Sequence, residues 1–174
     1  MQRLMLFVMM VIFLCAGCST INQSAREAVP LGEEWALLPF VNNTETPYAA
    51  ERAESITAAL LYARGVQRIE VAQLEPSAEE QLIPDRGAKR YQEALEAARK
   101  RGIHYAVVGT VTEWRYKVGL DGEPVVGVTL QVLHLPEGTV LWSGSGSKSG
   151  WSRDAASAVA QQVLESLISG IQVR

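Results

Sequence analysis

Residues 105–146 read YAVVGTVTEWRYKVGLDGEPVVGVTLQVLHLPEGTVLWSGSG, and this segment indicates the class of the fold more clearly than the rest of the sequence. It contains three runs rich in β-branched and aromatic residues, at 105–118, 125–133 and 140–146, and such runs favour strands. Short turn sequences separate them, the first with Asp121-Gly122 and the second reading Pro-Glu-Gly. The sequence therefore predicts an antiparallel meander of three strands.

Upstream of the meander, strands and helices alternate. The apolar run WALLPFV at 35–41 and the segment 68–72 are typical of buried strands. Periodic apolar faces predict three amphipathic helices, at 48–64, 88–100 and 153–171. The order β-α-β-α-β-β-β-α predicts a single α/β domain. Parallel neighbours in the first half and antiparallel ones in the second give a mixed sheet with helices packed on it.

The chain opens with a secretory signal. Arg3 precedes an apolar run at 4–14, which is too short for a bilayer that needs about 20 apolar residues. Ala16-Gly17-Cys18 then resembles the lipobox of bacterial lipoproteins, in which a lipid is attached to the Cys and the chain is cut just before it. We expect a signal peptide at 1–17 and lipidation of Cys18. An ordinary cleaved signal is the alternative.

The next segment, 18–33, is polar and without a steady period, so we expect a lipidated Cys and a tether ahead of a periplasmic domain at 34–174. Ser19 follows the lipidated position, and in lipoproteins generally the absence of Asp there implies the outer membrane. The chain has two cysteines; Cys15 leaves with the signal and Cys18 carries lipid. The domain is therefore expected to hold no disulfide and no cysteine metal site.

The charge balance and the absence of known motifs argue against several classes of partner and of chemistry. The formal net charge is −3 and no basic cluster is visible, which argues against a nucleic-acid partner. The sequence contains no Gly-rich phosphate loop, no Ser-His-Asp set and no metal-ligand spacing. We expect no catalytic residue, no cofactor and no metal, and we interpret His104 and His134 as structural.

A hydrolase using Glu113 or Asp121 is one alternative that the residues leave open. Such an enzyme needs a paired acid and base in a pocket, and the sequence shows none. Arg115 lies two positions after Glu113 on the predicted strand, hence on the same face. A solvated ion pair is therefore the expected role of Glu113.

Asp121 and Glu123 flank Gly122 at the predicted hairpin tip. The two carboxylates are either turn residues or an acidic rim that would matter in an oligomer. The preceding strand has an aromatic face, with Trp114 and Tyr116, extending beyond the small residues around Gly109. We expect a neighbouring subunit to cover that face.

Trp151 is a large aromatic residue in a Gly- and Ser-rich stretch that we expect to be flexible. One interpretation is that it packs ahead of the last helix. The other is that it contacts lipid headgroups, where Trp is favoured, with Lys148 and Arg153 attracted to anionic lipid.

Four segments carry a resemblance to a known family: WALLPF (35–40), NNTETP (42–47), GTVTEWRY (109–116) and WSGSGSKSGW (142–151). Together they resemble the PelC family, outer-membrane lipoproteins of Pel exopolysaccharide export, from the lipobox to the last helix. The Pro-Phe-x-Asn piece also occurs in related periplasmic folds, such as the amino-terminal domain of TolB and the lipoproteins that activate peptidoglycan synthases.

The resemblance implies a TolB-like fold without enzyme activity, assembled as a ring of about twelve copies on the inner face of the outer membrane. It implies that the ring guides a cationic, partly deacetylated amino-sugar polysaccharide towards the outer-membrane porin PelB. Asp121 and Glu123 are then expected to face the polymer, and Trp151, Lys148 and Arg153 the membrane.

A lipoprotein activator of a peptidoglycan synthase is the alternative function. It needs a long tether, whereas residues 19–32 could span at most about 50 Å when fully extended. That reach is short for the cell-wall layer, which favours the exporter.

Overall fold

The computed structural model describes residues 19–71, 86–118 and 122–174, with side chains of the second range from residue 89. The predicted signal peptide at 1–17, Cys18 and Asp121 lie outside the described residues. No helix within the described ranges is long and apolar enough to cross a membrane.

Seven strands and three helices make up the described fold. The strands are β1 (Ser19–Ala25), β2 (Glu34–Leu37), β3 (Val41–Asn42), β4 (Arg68–Val71), β5 (Tyr105–Tyr116), β6 (Pro124–His134) and β7 (Thr139–Ser149). The helices are α1 (Ala49–Ala63), α2 (Arg86–Lys100) and α3 (Ala156–Ser169). The seven strands form one sheet in the order β1-β7-β6-β5-β2-β4, with β3 also paired to β5.

The predicted mixed α/β sheet is confirmed. β2 pairs in parallel with β4 and with β5, while β5, β6 and β7 form the antiparallel meander. The run at 35–41, predicted as one strand, is split into β2 and β3, and both pair with β5. Pro39 lies at the break and has no backbone N–H to continue the ladder.

The predicted tether at 18–33 is wrong for residues 19–25, which form the edge strand β1. Its register against β7 runs from Ser19 opposite Lys148 to Ala25 opposite Trp142. Backbone hydrogen bonds hold an edge strand whatever its side chains, so a polar, nearly fully exposed sequence can still belong to the sheet. Ile21 packs against the hydrophobic core.

The two faces of the sheet are covered by different helices. α1 and α3 bury one face together with the largest core side chains, among them Trp35 and Trp142. α2 covers a smaller cluster on the opposite face, which includes Ala36, Leu38 and Ala106.

The Gly- and Ser-rich stretch before Trp151, expected to be flexible, is regular strand as far as Ser149. Its glycines face the core. A Cβ at Gly144 would lie 2.6 Å from the Trp142 ring, and one at Gly146 would lie 2.6 Å from the Ile21 side chain. The small residues therefore let the strand approach its neighbours closely.

Candidate functional site: one end of the sheet and an adjoining polar groove

Four strand termini meet at one end of the sheet. Ser19 lies opposite Lys148, Ser149 opposite Val125, and Pro124 opposite Tyr116. We call this the Ser19 end, defined by Ser19, Tyr116, Pro124 and Ser149. The Gly150 N–H donates to the carbonyl of Pro124 at 2.8 Å, which holds the chain leading to Trp151 at the same end. The register thus gathers the residue after Cys18, the β5–β6 hairpin and Trp151.

Trp151 is exposed at the Ser19 end. Its side chain is 64 % accessible, while its backbone N–H donates to the Asp154 carboxylate at 2.8 Å ahead of α3. The interpretation that the Trp151 ring packs ahead of the last helix is therefore wrong; its contact with a membrane stays a prediction. Arg153 is exposed and Lys148 is half-buried.

The aromatic face of β5 differs from its prediction. Trp114 is 3 % exposed and belongs to the domain's own core, together with Ala50 of α1 and Ala156 of α3. No neighbouring subunit is needed to cover it. Tyr116 and Val118, farther along the chain, remain exposed, and the Tyr116 hydroxyl accepts a hydrogen bond from the Ala156 N–H at 3.2 Å.

Glu123 is paired within its own hairpin. Its carboxylate lies 2.8 Å from the ammonium of Lys117, and the Lys117 N–H donates to the Glu123 carbonyl at 2.8 Å. The cation balances much of this negative charge locally.

A polar groove of about 590 Å³ adjoins the carboxyl end of β5. One wall is the loop 43–47 after β3, and the other is the segment 112–115 of β5. Glu113 and Arg115 form the predicted ion pair in the second wall, 2.6 Å apart. Neither segment on its own indicates a cavity, because the walls lie far apart in sequence.

Side-chain hydrogen bonds fix the loop wall. The Asn42 carboxamide oxygen accepts from the Thr44 N–H at 3.0 Å, and its amide nitrogen donates to the Thr46 carbonyl at 2.9 Å. The Thr46 hydroxyl donates to the carbonyl of Trp114, which ties the loop to β5. Asn and Thr bonding to nearby backbone is the local signal that could have identified this loop as ordered.

The strand wall is shaped by a β-bulge. The register of β5 against β6 shifts between Val111 and Glu113, and Gly127 lies opposite Glu113. A Cβ at Gly127 would lie 2.6 Å from the Thr112 hydroxyl, so the glycine makes room for that side chain over β6. Bulges redirect side chains and are frequent beside binding sites.

Tyr48 follows the loop wall and has the left-handed backbone conformation, with φ of 59°. It is the one non-glycine residue with positive φ among those the structure describes. Its side chain is 68 % exposed, so burial does not explain the conformation.

The two histidines each lie beside a glutamate. His104 Nδ1 lies 3.4 Å from a Glu33 oxygen, and His134 pairs with Glu137. Within the described ranges, no group of three His, Cys, Asp or Glu could hold a metal ion. Burial raises the pKa of Glu54, whose carboxylate accepts a hydrogen bond from the Phe40 N–H at 2.7 Å.

The fold resembles solved structures of cell-envelope proteins. A PelC dodecamer from Paraburkholderia phytofirmans is 37 % identical and matches 90 % of this chain and 100 % of that chain, with a TM-score of 0.74. A leucine-to-methionine variant of that dodecamer matches with the same identity and coverage and a TM-score of 0.75. The lipoprotein GNA1162 from Neisseria meningitidis shares the fold at 19 % identity, with 80 % and 97 % of the two chains covered and a TM-score of 0.59.

No protein-family profile and no curated protein matches the sequence. The first relationship is nevertheless sufficient, because the identity extends over the full length of the crystallised PelC chain. The protein belongs to the PelC family.

Proposed function

We propose that the protein is a non-enzymatic outer-membrane lipoprotein of Pel-type exopolysaccharide export. In this role it forms a homo-oligomeric ring that guides a cationic polysaccharide towards the outer-membrane porin PelB. The observation that carries the proposal is the 37 % identity to a PelC that crystallises as a dodecamer, with all of that chain covered. The Ser19 end supplies the supporting geometry.

The register of β1 supports attachment close to the membrane. With lipid on Cys18, the next residue is already paired to Lys148, so the domain would lie directly against the bilayer. The exposed Trp151 ring is at the same end and can reach the headgroup layer, where Trp is favoured. Lys148 and Arg153 add positive charge towards anionic lipid.

Guidance of a cationic polymer would rest on Asp121. The described strands before and after this residue, β5 and β6, end at the Ser19 end, which is also the end that carries the residue after the predicted lipid site. Because Glu123 is balanced by Lys117, we assign Asp121 the main role and Glu123 a smaller one. Ring symmetry repeats each charge, and summed charges attract a polycation over long range.

The activator of a peptidoglycan synthase has less support. That role requires the domain to reach away from the membrane on a long tether. Here the described sheet begins at Ser19, directly after the predicted lipid attachment site.

Light scattering on the full-length protein purified in detergent tests the ring. We expect a protein mass near that of a dodecamer, which persists on dilution because symmetric interfaces close on themselves. A monomer at all concentrations would reject the proposal.

A further inference from the structure

The polar groove between residues 43–47 and 112–115 has no role in the function proposed so far. Its volume of about 590 Å³ falls within the range of about 300–1,000 Å³ typical of small-molecule sites. It lies where parallel β3 and β5 end, the edge at which open α/β sheets commonly bind ligands.

The groove is preformed. Asn42 and Thr46 fix one wall with bonds inside the loop and to the Trp114 carbonyl. The bulge opposite Gly127 fixes Thr112 and Glu113 in the other wall. A site whose walls are held before binding loses less conformational entropy when a ligand enters.

Tyr48 directly follows Pro47 of the loop wall, in a left-handed conformation that is unfavourable for an L-residue with a side chain. Glycine would take this conformation at lower cost. Tyr48 is not itself part of the groove lining, but its exposed ring follows the loop wall directly in sequence.

The chemistry of the lining selects a class of ligand. Asn43, Thr44 and Thr112 offer amide and hydroxyl groups, while Glu113 and Arg115 present planar, charged hydrogen-bonding groups. With Glu45 added, two carboxylates face one guanidinium, so the lining carries one net negative charge. This balance disfavours phosphates and uronates and favours a hydroxyl-rich molecule with a cation.

We propose that the groove binds one sugar unit bearing a protonated amine. Glu45 supplies the negative charge of the lining that Arg115 does not balance, and it attracts the ammonium group. Glu113 accepts a hydrogen bond from that group and Arg115 donates to a ring hydroxyl, while the Tyr48 ring packs against the C–H face of the sugar at the rim. The proposal rests on the proposed function in one respect, namely that the sugar belongs to the exported polymer.

Calorimetric titration of the full-length protein in detergent tests the site with three tetrasaccharides, of β1,4-linked glucosamine, of N-acetylglucosamine and of galacturonic acid. The glucosamine tetramer is expected to bind, and the other two at least about fivefold more weakly, because only the amine brings a cation to the carboxylate. Three tetramers that bind equally, or a glucosamine tetramer that fails to bind, would overturn the proposal.

Matched variants assign the residues. Glu113→Gln is expected to weaken binding of the glucosamine tetramer about tenfold, since a charged hydrogen bond becomes neutral. Glu70→Gln is the control, because Glu70 also pairs with an arginine, Arg101, but lies on the edge strand β4. Equal affinity in the Glu113→Gln variant and the parent would reject the role of Glu113.

Tyr48 has its own pair of variants. Tyr48→Gly is expected to be at least as stable as the parent yet to lose binding severalfold, whereas Tyr62→Ala, at another exposed tyrosine of the same helix region, keeps it. A Tyr48→Gly variant that binds normally would reject the rim contact. One that loses its oligomeric mass instead would assign Tyr48 to contact between copies and overturn its sugar role.

Light scattering on the same samples separates the two proposals. A ring that binds no glucosamine tetramer rejects the groove and leaves the exporter intact. A parent protein that forms no ring rejects the proposed function whether or not the sugar binds.

Discussion

Ser19 lies directly opposite Lys148 in the antiparallel pair of β1 and β7. The residue that follows Cys18 is thus fixed in the sheet, opposite a residue of β7 that precedes Trp151 by a few positions in the chain. A lipid on Cys18 would then hold this end of the sheet at the bilayer surface. The relationship makes the anchor and the exposed tryptophan separately testable.

Cys18→Ser is expected to release a folded, soluble periplasmic protein. The side chain precedes the described sheet, so the melting temperature should be that of the parent once the lipid is removed. Fractionation of membranes and periplasm checks the result. Recovery of the variant in the membrane fraction would contradict lipid anchoring through Cys18.

Trp151→Ala is expected to lower membrane docking while leaving stability nearly unchanged, because the ring is exposed. Trp142→Ala is the matched control: that ring is 1 % exposed, and truncation of a core Trp costs about 3–5 kcal/mol. Thermal melting and vesicle co-sedimentation measure the two effects. An early-melting Trp151→Ala variant would return this residue to the core.

Asp121→Asn is expected to fold normally and to lower export of a cationic polymer, most strongly at low ionic strength, where charges are least screened. Glu123→Gln should have a smaller effect, because Lys117 already balances that carboxylate. Polymer secreted per cell measures both variants. Unchanged export after neutralising both acids would rule out the acidic rim.

Gly144→Ala is expected to destabilise the domain by about 1–3 kcal/mol, because the added methyl overpacks the core. The new Cβ would lie 2.6 Å from the Trp142 ring. Ser145→Ala, on the exposed side of the same strand, should change stability by less than about 0.5 kcal/mol. Urea unfolding compares the two, and equal stabilities would argue against this packing.

The raised pKa of Glu54 predicts that the stability of the domain depends on pH. Burial raises the pKa of this carboxyl above its ordinary value of 4.5, although the Phe40 N–H and Arg90 partly oppose the shift. The Glu54 carboxyl therefore binds its proton more tightly in the folded state than in the unfolded state. Stability contributed by Glu54 is present below pH 4.5 and is lost as the pH rises through the raised pKa.

Glu54→Gln should remove this loss of stability. The free energy of unfolding of the variant should therefore increase relative to that of the parent as the pH rises above 4.5. Urea titrations across that range measure the difference. Glu96→Gln, at an exposed helix carboxylate, serves as the control. A difference between the Glu54→Gln variant and the parent that is constant with pH would contradict the shift.

Local sequence patterns determined the class of the fold. The alternation of side chains and the turn residues from 105 to 146 predicted the meander, and the apolar runs before it predicted the parallel strands. The pairing of Glu113 with Arg115 was equally local, since both project from one face of β5. Strand and helix periods act over a few residues, so they can be recognised without knowledge of the partners.

Two other features depend on how distant parts of the chain pack together. β1 was predicted as a tether because edge-strand hydrogen bonds leave no hydrophobic pattern in the side chains. Trp114 and Trp142 are buried whereas Trp151 is exposed, a distinction that depends on helices packed from elsewhere in the chain.

The polar groove depends on contact between Thr46 and Trp114, which are 68 residues apart. Contiguous signals were enough to predict the meander, the three helices and the expected lipid site at Cys18, but not the edge strand β1. Which surfaces remain open to membrane, polymer or sugar was decided only when distant segments packed together, because burial is a property of the whole fold.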